Sequence, residues 1–213
     1  MRVLQLLPEL KFGGVERGTV DLSEHLTKLG HQSAVVSAGG GLTEQLSNHG
    51  AKHFSLPIAK KNFLAIRQYK NLRDIYREFK PDIIHVRSRF PAWINVLALK
   101  GLSSSKPIVI STFHGLYSKP FYSKSMSYAN DIIAISKTVQ EYVFKNYDVD
   151  HSRVHLIYRG CDIDEFNTST PSEAWSNSWY KEFPQTSDKI LLTLPGRITG
   201  WKGIEDFLKL LSQ

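Results

Sequence analysis

With 213 residues, an apolar share of 41% and a charged share of 22%, the chain has the make-up of a folded soluble protein, and its composition argues against a disordered one. Longer than one common domain and shorter than two, it is expected to hold one complete domain and an additional piece. A formal charge of +7 favours an anionic partner, whether nucleotide, phospholipid surface or nucleic acid, and a single cysteine, Cys161, excludes an internal disulfide. No stretch has the length and apolarity of a membrane span, and the first residues carry no leader or cleavage pattern, so a cytoplasmic protein is the expectation.

In chain order, Val3, Leu4, Leu6 and Leu7 form an apolar run of strand length, and Gly13-Gly14 permits a turn. Val15, Thr19, Leu22, Leu26 and Leu29 then recur at three- and four-residue steps and predict a helix with one sheet-facing stripe, stopped at Gly30. A helix N-terminus behind a glycine turn offers backbone N–H groups and the positive end of the helix dipole to a phosphate. The same turn also reads as plain strand-to-helix geometry, and the two readings are compatible.

Gln32 to Ser37 predicts a second strand, followed by the loop Ala38-Gly39-Gly40-Gly41, a short helix over Leu42 to His49 and a third strand over Lys52 to Leu56. Asn62 to Phe79 predicts one long helix with Phe63, Ile66, Leu72, Ile75 and Phe79 inward, ended by Lys80-Pro81. Asp82 to Val86 is a buried-type strand, Pro91 to Leu99 a helix opening on proline, and Pro107 to Phe113 a strand ending at His114-Gly115. Asp131 to Ile135 predicts a strand, Ser136 a cap on a helix reaching Tyr147, and Val154 to Ile157 a further strand before Arg159-Gly160.

Strands alternating with helices predict an α/β fold, a Rossmann-like doubly wound parallel sheet whose ligands bind beyond the carboxyl ends of the strands. Gly13, Gly39, Arg87, His114, Ser136 and Gly160 all follow predicted strands and so fall on one rim. Residues 167–189 change to Ser, Thr, Pro, Asn and Trp and read as a connection with a helix near Ser172 to Phe183. Ile190 to Leu194 then predicts a strand, Pro195-Gly196-Arg197 a turn, and Gly203 to Leu211 a helix with Ile204, Phe207, Leu208 and Leu211 inward. The domain plan is therefore 1–166, a connection 167–189, and a strand and helix over 190–213.

Several of these segments together resemble the GT-B glycosyltransferases of the retaining group called family 4. They are Gly13-Gly14-Val15-Glu16-Arg17 with Leu29-Gly30-His31, Pro81-Asp82-Ile83-Ile84-His85, Thr112-Phe113-His114-Gly115, Ala134-Ile135-Ser136-Lys137, Gly160-Cys161-Asp162 with Phe166, and Gly196-Arg197 with Lys202-Gly203. The resemblance implies two Rossmann-like domains with a nucleotide-sugar co-substrate between them. This chain would then hold the acceptor-side domain and the first strand and helix of the donor-binding one, an incomplete form with little or no transfer of its own. It also implies transfer with retention to a saccharide or lipid-linked acceptor, in cell-envelope glycan synthesis such as that of lipopolysaccharide, without a metal or other cofactor. Two positions depart from the family pattern. Arg87 replaces a second histidine, which bears on the acceptor, and Arg159 replaces an asparagine in a structural turn.

Within that resemblance Arg197 and Lys202 take the donor diphosphate, where fixed cations stabilise the charge of the leaving group, and Gly13 and Gly14 add backbone N–H groups. His114 is the catalytic candidate, as stabiliser and orienter of the donor sugar, while His85 reads as structural. Glu16, Arg17 and Arg87 are acceptor-side candidates. Glu16 and Arg17 also read as ordinary first-turn electrostatics and a surface cation. No paired carboxylates or metal-spaced cluster stand out, and no compact nucleic-acid recognition motif is present. Lys60, Lys61, Arg67, Lys70, Arg73 and Arg77 lie along one helical segment that reads either as a solvated face or as a peripheral contact with an anionic membrane. The competing reading of the whole chain is a non-catalytic basic module that uses this face to bind an anionic membrane surface or a polyanion and needs neither His114 nor Arg197. Tyr117 to Tyr128 reads as an exposed acceptor region or a packed loop.

Overall fold

The structure, a computed structural model, describes residues 1–59, 63–102, 106–117, 120–164, 170–196 and 198–211. It divides into two compact units, Met1–Gly160 and Cys161–Gln213. The first is an α/β unit in which a strand is followed by a helix nearly throughout. In order it runs β1 (Arg2–Leu6), α1 (Gly14–Lys28), β2 (Gln32–Ser37), α2 (Thr43–Asn48), β3 (Lys52–Ser55), α3 (Phe63–Ile66) and α4 (Tyr69–Phe79). It continues through β4 (Ile83–Val86), α5 (Arg89–Leu99), β5 (Ile108–Phe113), α6 (Pro120–Ser123), β6 (Asp131–Ala134), α7 (Lys137–Asn146) and β7 (Val154–Leu156). The seven strands pair in parallel in the order β3-β2-β1-β4-β5-β6-β7. This is the expected doubly wound Rossmann-like sheet. Its order reverses between β1 and β4, the crevice where such sheets take ligands.

Strand periodicity divides β1 between two cores. Leu4 and Leu6 pack with Val36, Ile84, Leu72 and Ile94 on one face. Leu7, Val20, Val35 and Leu46 form a smaller cluster on the other. Gln5, wholly buried, faces α1, donating from Nε2 to the Thr19 carbonyl at 3.0 Å and to Ser23 Oγ at 2.8 Å. This keeps Thr19 of the predicted stripe inward and turns the rest of the stripe toward Val20 and Ser23. Thr19, Val20 and Ser23 are buried, whereas Leu22 and Leu26 are half-buried and Leu29 is exposed, because a polar side chain on the strand calls for short polar partners above it. Gly30 ends the helix at φ +76°, in the left-handed region that glycine enters without strain. The Ser136 cap is present, accepting from the Val139 N–H at 3.2 Å.

The long helix expected over Asn62 to Phe79 is two helices, and Asn62 itself lies outside the described residues. Tight three-residue bonds, Gln68 N–H to the Ala65 carbonyl and Lys70 N–H to the Arg67 carbonyl, interrupt it. The reset in phase turns Ala65, Leu72 and Tyr76 inward and leaves Ile66 exposed.

In the second unit α8 (Glu173–Glu182) is capped by Ser172, and Trp179 lies against Trp175 and Phe183 with ring centroids 5.5 and 4.6 Å away. The connecting helix expected near Ser172 to Phe183 is therefore present. Ile190 to Leu194 belongs to no strand, since a strand exists through its pairing and none of the described residues pairs with it. α9 (Ile204–Leu211) forms as a helix, but Leu208 and Leu211 of its expected inner face are exposed and no residue of α9 is buried.

Candidate functional site

The loop leaving β1 is pinned before it reaches α1. Leu10 donates to the Gly39 carbonyl and accepts from the Leu42 N–H, both at 2.9 Å, and Ala38 donates to the Pro8 carbonyl at 2.9 Å. Gly40, at φ +151°, lies so near the Leu10 carbonyl that no side chain would fit there. Both loops at the carboxyl ends of β1 and β2 are thus held by backbone, and they set where α1 begins. Gly13 is the helix N-cap and uses no side-chain cap, so the first-turn N–H groups face the rim.

Arg87 follows β4 directly. Its side chain is 7% exposed and runs inward to donate from Nη1 to Gln5 Oε1 at 3.1 Å. Its buried Nε has no hydrogen-bond partner, and among the described residues no carboxylate lies within 4.0 Å of the guanidinium. Arg159, after β7, reaches the same place from the other side and donates from Nη2 to the Gly14 carbonyl. A Cβ built at Gly14 would lie 2.8 Å from Arg159 Nη1, and one at Gly18 would lie 2.8 Å from Arg159 Nη2 and 3.3 Å from Arg87 Nη2. The glycines at 14 and 18 therefore leave a bare strip on α1 against which both guanidiniums rest. Burial, then the neighbouring Arg159 charge, pulls Arg87 down to about 10, while Asp21 and Glu16 act in the opposite sense.

His114 ends β5. Both of its ring nitrogens are buried without a hydrogen-bond partner. Burial, reinforced by Arg87 and Arg159, pulls the imidazole down to about 3, so it is neutral at physiological pH. His85 on β4 shares a 2.7 Å hydrogen bond with Thr112 Oγ1 and is held well below its ordinary value by burial, Arg87 and His114. It ties β4 to β5, as a structural histidine should.

Gly13, Gly14, Glu16, Arg87 and His114 thus all belong to the carboxyl rim of the first unit. The Glu16 carboxylate folds back over Gly13, where a Cβ would meet Oε2 at 2.5 Å. Arg17 turns aside to an exposed 2.8 Å ion pair with Asp21. Lys202 belongs to the second unit, in a short turn over Gly200–Lys202 with its stem beside Gly196, and Arg197 lies outside the described residues. In the basic segment Lys60 and Lys61 also lie outside them. Arg73 closes the end of α5 by donating to the Ala98 and Leu97 carbonyls at 3.1 and 3.3 Å, and Arg77 pairs with Asp74. The described residues of Tyr117 to Tyr128 are part packed and part exposed: the Tyr117 and Tyr122 carbonyls accept from Tyr142 and Trp93 and Met126 is wholly buried, whereas Phe121 and Tyr128 are exposed. Among the described residues no group of three His, Cys, Asp or Glu could hold a metal ion.

Sequence reasoning missed Arg159 as more than a turn residue, and missed Gln5 and Gly18. Gln5 had a signal, a polar residue inside an apolar strand. Arg159 had none, because its partner Gly14 is 145 residues away. Chemically the rim combines helix N–H groups, two cations without a carboxylate in ion-pair range and a neutral imidazole with both nitrogens unused. Such a set can hold an oxyanion beside a hydroxylated group.

Residues 12–165 match the family described as Glycosyltransferase Family 4. Among curated proteins, the uncharacterized glycosyltransferase MJ1607 of Methanocaldococcus jannaschii is 24% identical over 214 residues, 92% of this chain and 55% of its own. Among solved structures, a glycosyltransferase from Rickettsia africae superposes with a TM-score of 0.81 at 30% identity, over 99% of this chain and 56% of that one. Anabaena HepE, solved with UDP and glucose, superposes with a TM-score of 0.80 at 17% identity, over 100% of this chain and 58% of its own. The chain therefore spans about half the length of the relatives it matches.

Proposed function

We propose, from the premise that the chain belongs to glycosyltransferase family 4, that the protein moves a sugar from a nucleotide-sugar donor to a saccharide or lipid-linked acceptor. The observation that carries this reading is the convergence, at the switch point of a parallel sheet, of the α1 N-terminus, a cationic pair and a neutral histidine with both nitrogens unpartnered. The complex of HepE with UDP and glucose on the same fold supports a nucleotide-sugar as donor.

In this reading the bond from the anomeric carbon to the donor phosphate breaks and the acceptor oxygen bonds to that carbon on the same face, with retention. The acceptor proton passes to the departing phosphate oxygen. An imidazole lowered to about 3 is a poor proton acceptor, so His114 serves by hydrogen bonding to a sugar hydroxyl and orienting the donor. Gly13 and Gly14 give N–H groups to a phosphate oxygen, while Arg197 and Lys202 balance the charge left on the diphosphate. Glu16 and Arg87 lie on the acceptor side.

The same reading places the protein in the cytoplasm, at the inner membrane face where a lipid-linked acceptor of cell-envelope glycan synthesis is presented. Among the described residues no helix is long and apolar enough to cross a membrane. By itself the 213-residue chain transfers little or nothing. The test is a screen of UDP, GDP and ADP sugars against the natural protein containing these residues, read as binding and as donor consumption. Consumption of one donor class, dependent on an added acceptor, is expected; no binding and no turnover with any of them contradicts the reading.

A further inference from the structure

We propose that Arg87, Arg159 and the first two turns of α1 form a phosphoryl-binding subsite contained wholly within Met1–Gly160. Two guanidiniums rest on the same strip of α1, at the positive end of its dipole, and one of them is 93% removed from solvent by its 7% exposure. Like charges so placed repel, and a buried cation ordinarily carries a carboxylate partner. Here the nearest acidic groups do not fill that role. Asp21 is bonded to Arg17, and Glu16 lies over Gly13. Gln5 satisfies one donor of Arg87 and leaves Nε buried and unused.

Geometry supports the same conclusion. Glycine at both 14 and 18, one turn apart, removes the side chains that would otherwise cover the strip, and opens it to the guanidiniums from β4 and β7. Arg87 is fixed by Gln5 from below, while Arg159, on an exposed loop, is anchored through the Gly14 carbonyl. Both arginines are thus held against the strip, one from beneath and one through the helix backbone. A phosphoryl group has the charge and the oxygens to bridge two guanidiniums bidentately. Its place in transfer rests on the reading above, the phosphoryl group coming from the donor or from an acceptor that carries a phosphate; the subsite itself stands on the side chains.

The test is calorimetric titration of the 213-residue chain with inorganic phosphate. Arg159→Gln, at an exposed position, is expected to weaken phosphate binding by about tenfold or more, the effect of losing one bidentate charged contact. Lys52→Gln, which removes an equal charge from an exposed pair with Glu78, is expected to bind as the wild type does. Saturable binding that is lost in Arg159→Gln and kept in Lys52→Gln supports the subsite. No binding by the wild type, or equal weakening in both variants, overturns it. Competition then separates the sources, since displacement of phosphate by UDP assigns the subsite to the donor and displacement by glucose 6-phosphate but not UDP assigns it to the acceptor. Because no transfer is measured, a binding chain whose natural protein fails the donor screen leaves the subsite standing, and a transferring protein that binds no phosphate leaves only the subsite refuted.

Discussion

The two ends of the sheet in the first unit both carry cations and treat them in opposite ways. At the amino end, Arg2 binds Asp82 through its backbone N–H at 2.6 Å and its guanidinium at 3.4 Å, Lys52 meets Glu78 at 2.5 Å, and Arg77 meets Asp74 at 2.7 Å. A cavity of about 540 Å³ opens there, lined by Arg2, Tyr76, Arg77, Lys80, Asp82 and Lys106 among others. At the carboxyl end, Arg87 and Arg159 share a strip of α1 without an ion pair, beside a histidine whose nitrogens bond to nothing. Room is therefore a poor guide to the site. Exposed charges paired with one another add little to stability and are ready for no ligand, whereas buried donors without partners cost free energy until a ligand joins them.

That contrast can be broken most forcefully at Gln5. Replacing it with leucine strips Arg87, Ser23 and the Thr19 carbonyl of their shared partner, and should destabilise the chain by about 3 kcal/mol, the scale for orphaned buried polar groups with one charged. Thermal unfolding would show a midpoint lower by roughly 6–12 °C. An unchanged midpoint would mean that the carboxyl rim is not held from beneath as described.

Acid gives the next largest effect. His114 is lowered from 6.5 to about 3, so the unfolded chain binds the proton more tightly and stability falls as pH drops from about 6.5 toward 3. The slope contributed by this one group approaches about 1.4 kcal/mol per pH unit between those limits. His85 and His53, also lowered, act in the same direction. The amino end responds lower on the scale. Asp82 is held below its ordinary 3.8 by the Arg2 N–H and side chain, so its contribution is present above that value and lost as pH falls through its lowered one. Melting curves between pH 7 and 5 should therefore steepen through the histidines alone, and His114→Gln should flatten them. If the variant keeps the wild-type slope, the imidazole is not buried neutral.

The smallest effect belongs to the amino rim. Asp82→Asn breaks an exposed pair and should shift the melting midpoint at neutral pH only slightly, with phosphate binding unaltered. A large loss of phosphate binding would erase the distinction between the two ends.

Much of this was legible in the sequence because it is local. Apolar runs and glycine turns gave the strands and the rim, and Ser136 announced its helix. What escaped is what depends on distant partners. Of the stripe expected on α1, Thr19 is buried, but Leu22 and Leu26 are only half-buried because Gln5, on another element, bonds Thr19 and Ser23. The helix break near Gln68 carries neither proline nor glycine, so periodicity runs through it. Ile190 to Leu194 has the composition of a strand but no described strand beside it. Among the candidate site residues, Gly13, Gly14, Arg87 and His114 follow their strands as the pattern implied, whereas Arg159 became visible only when folding carried it back to Gly14.

The most direct test of the carboxyl rim as the transfer site is the donor-dependent rate of the natural protein with His114→Ala set beside Asp82→Asn. The rim predicts a loss of about 10²-fold or more for His114→Ala, the scale for removing one preorganised hydrogen-bonding group, and a near wild-type rate for Asp82→Asn. Equal rates in the two variants would contradict it.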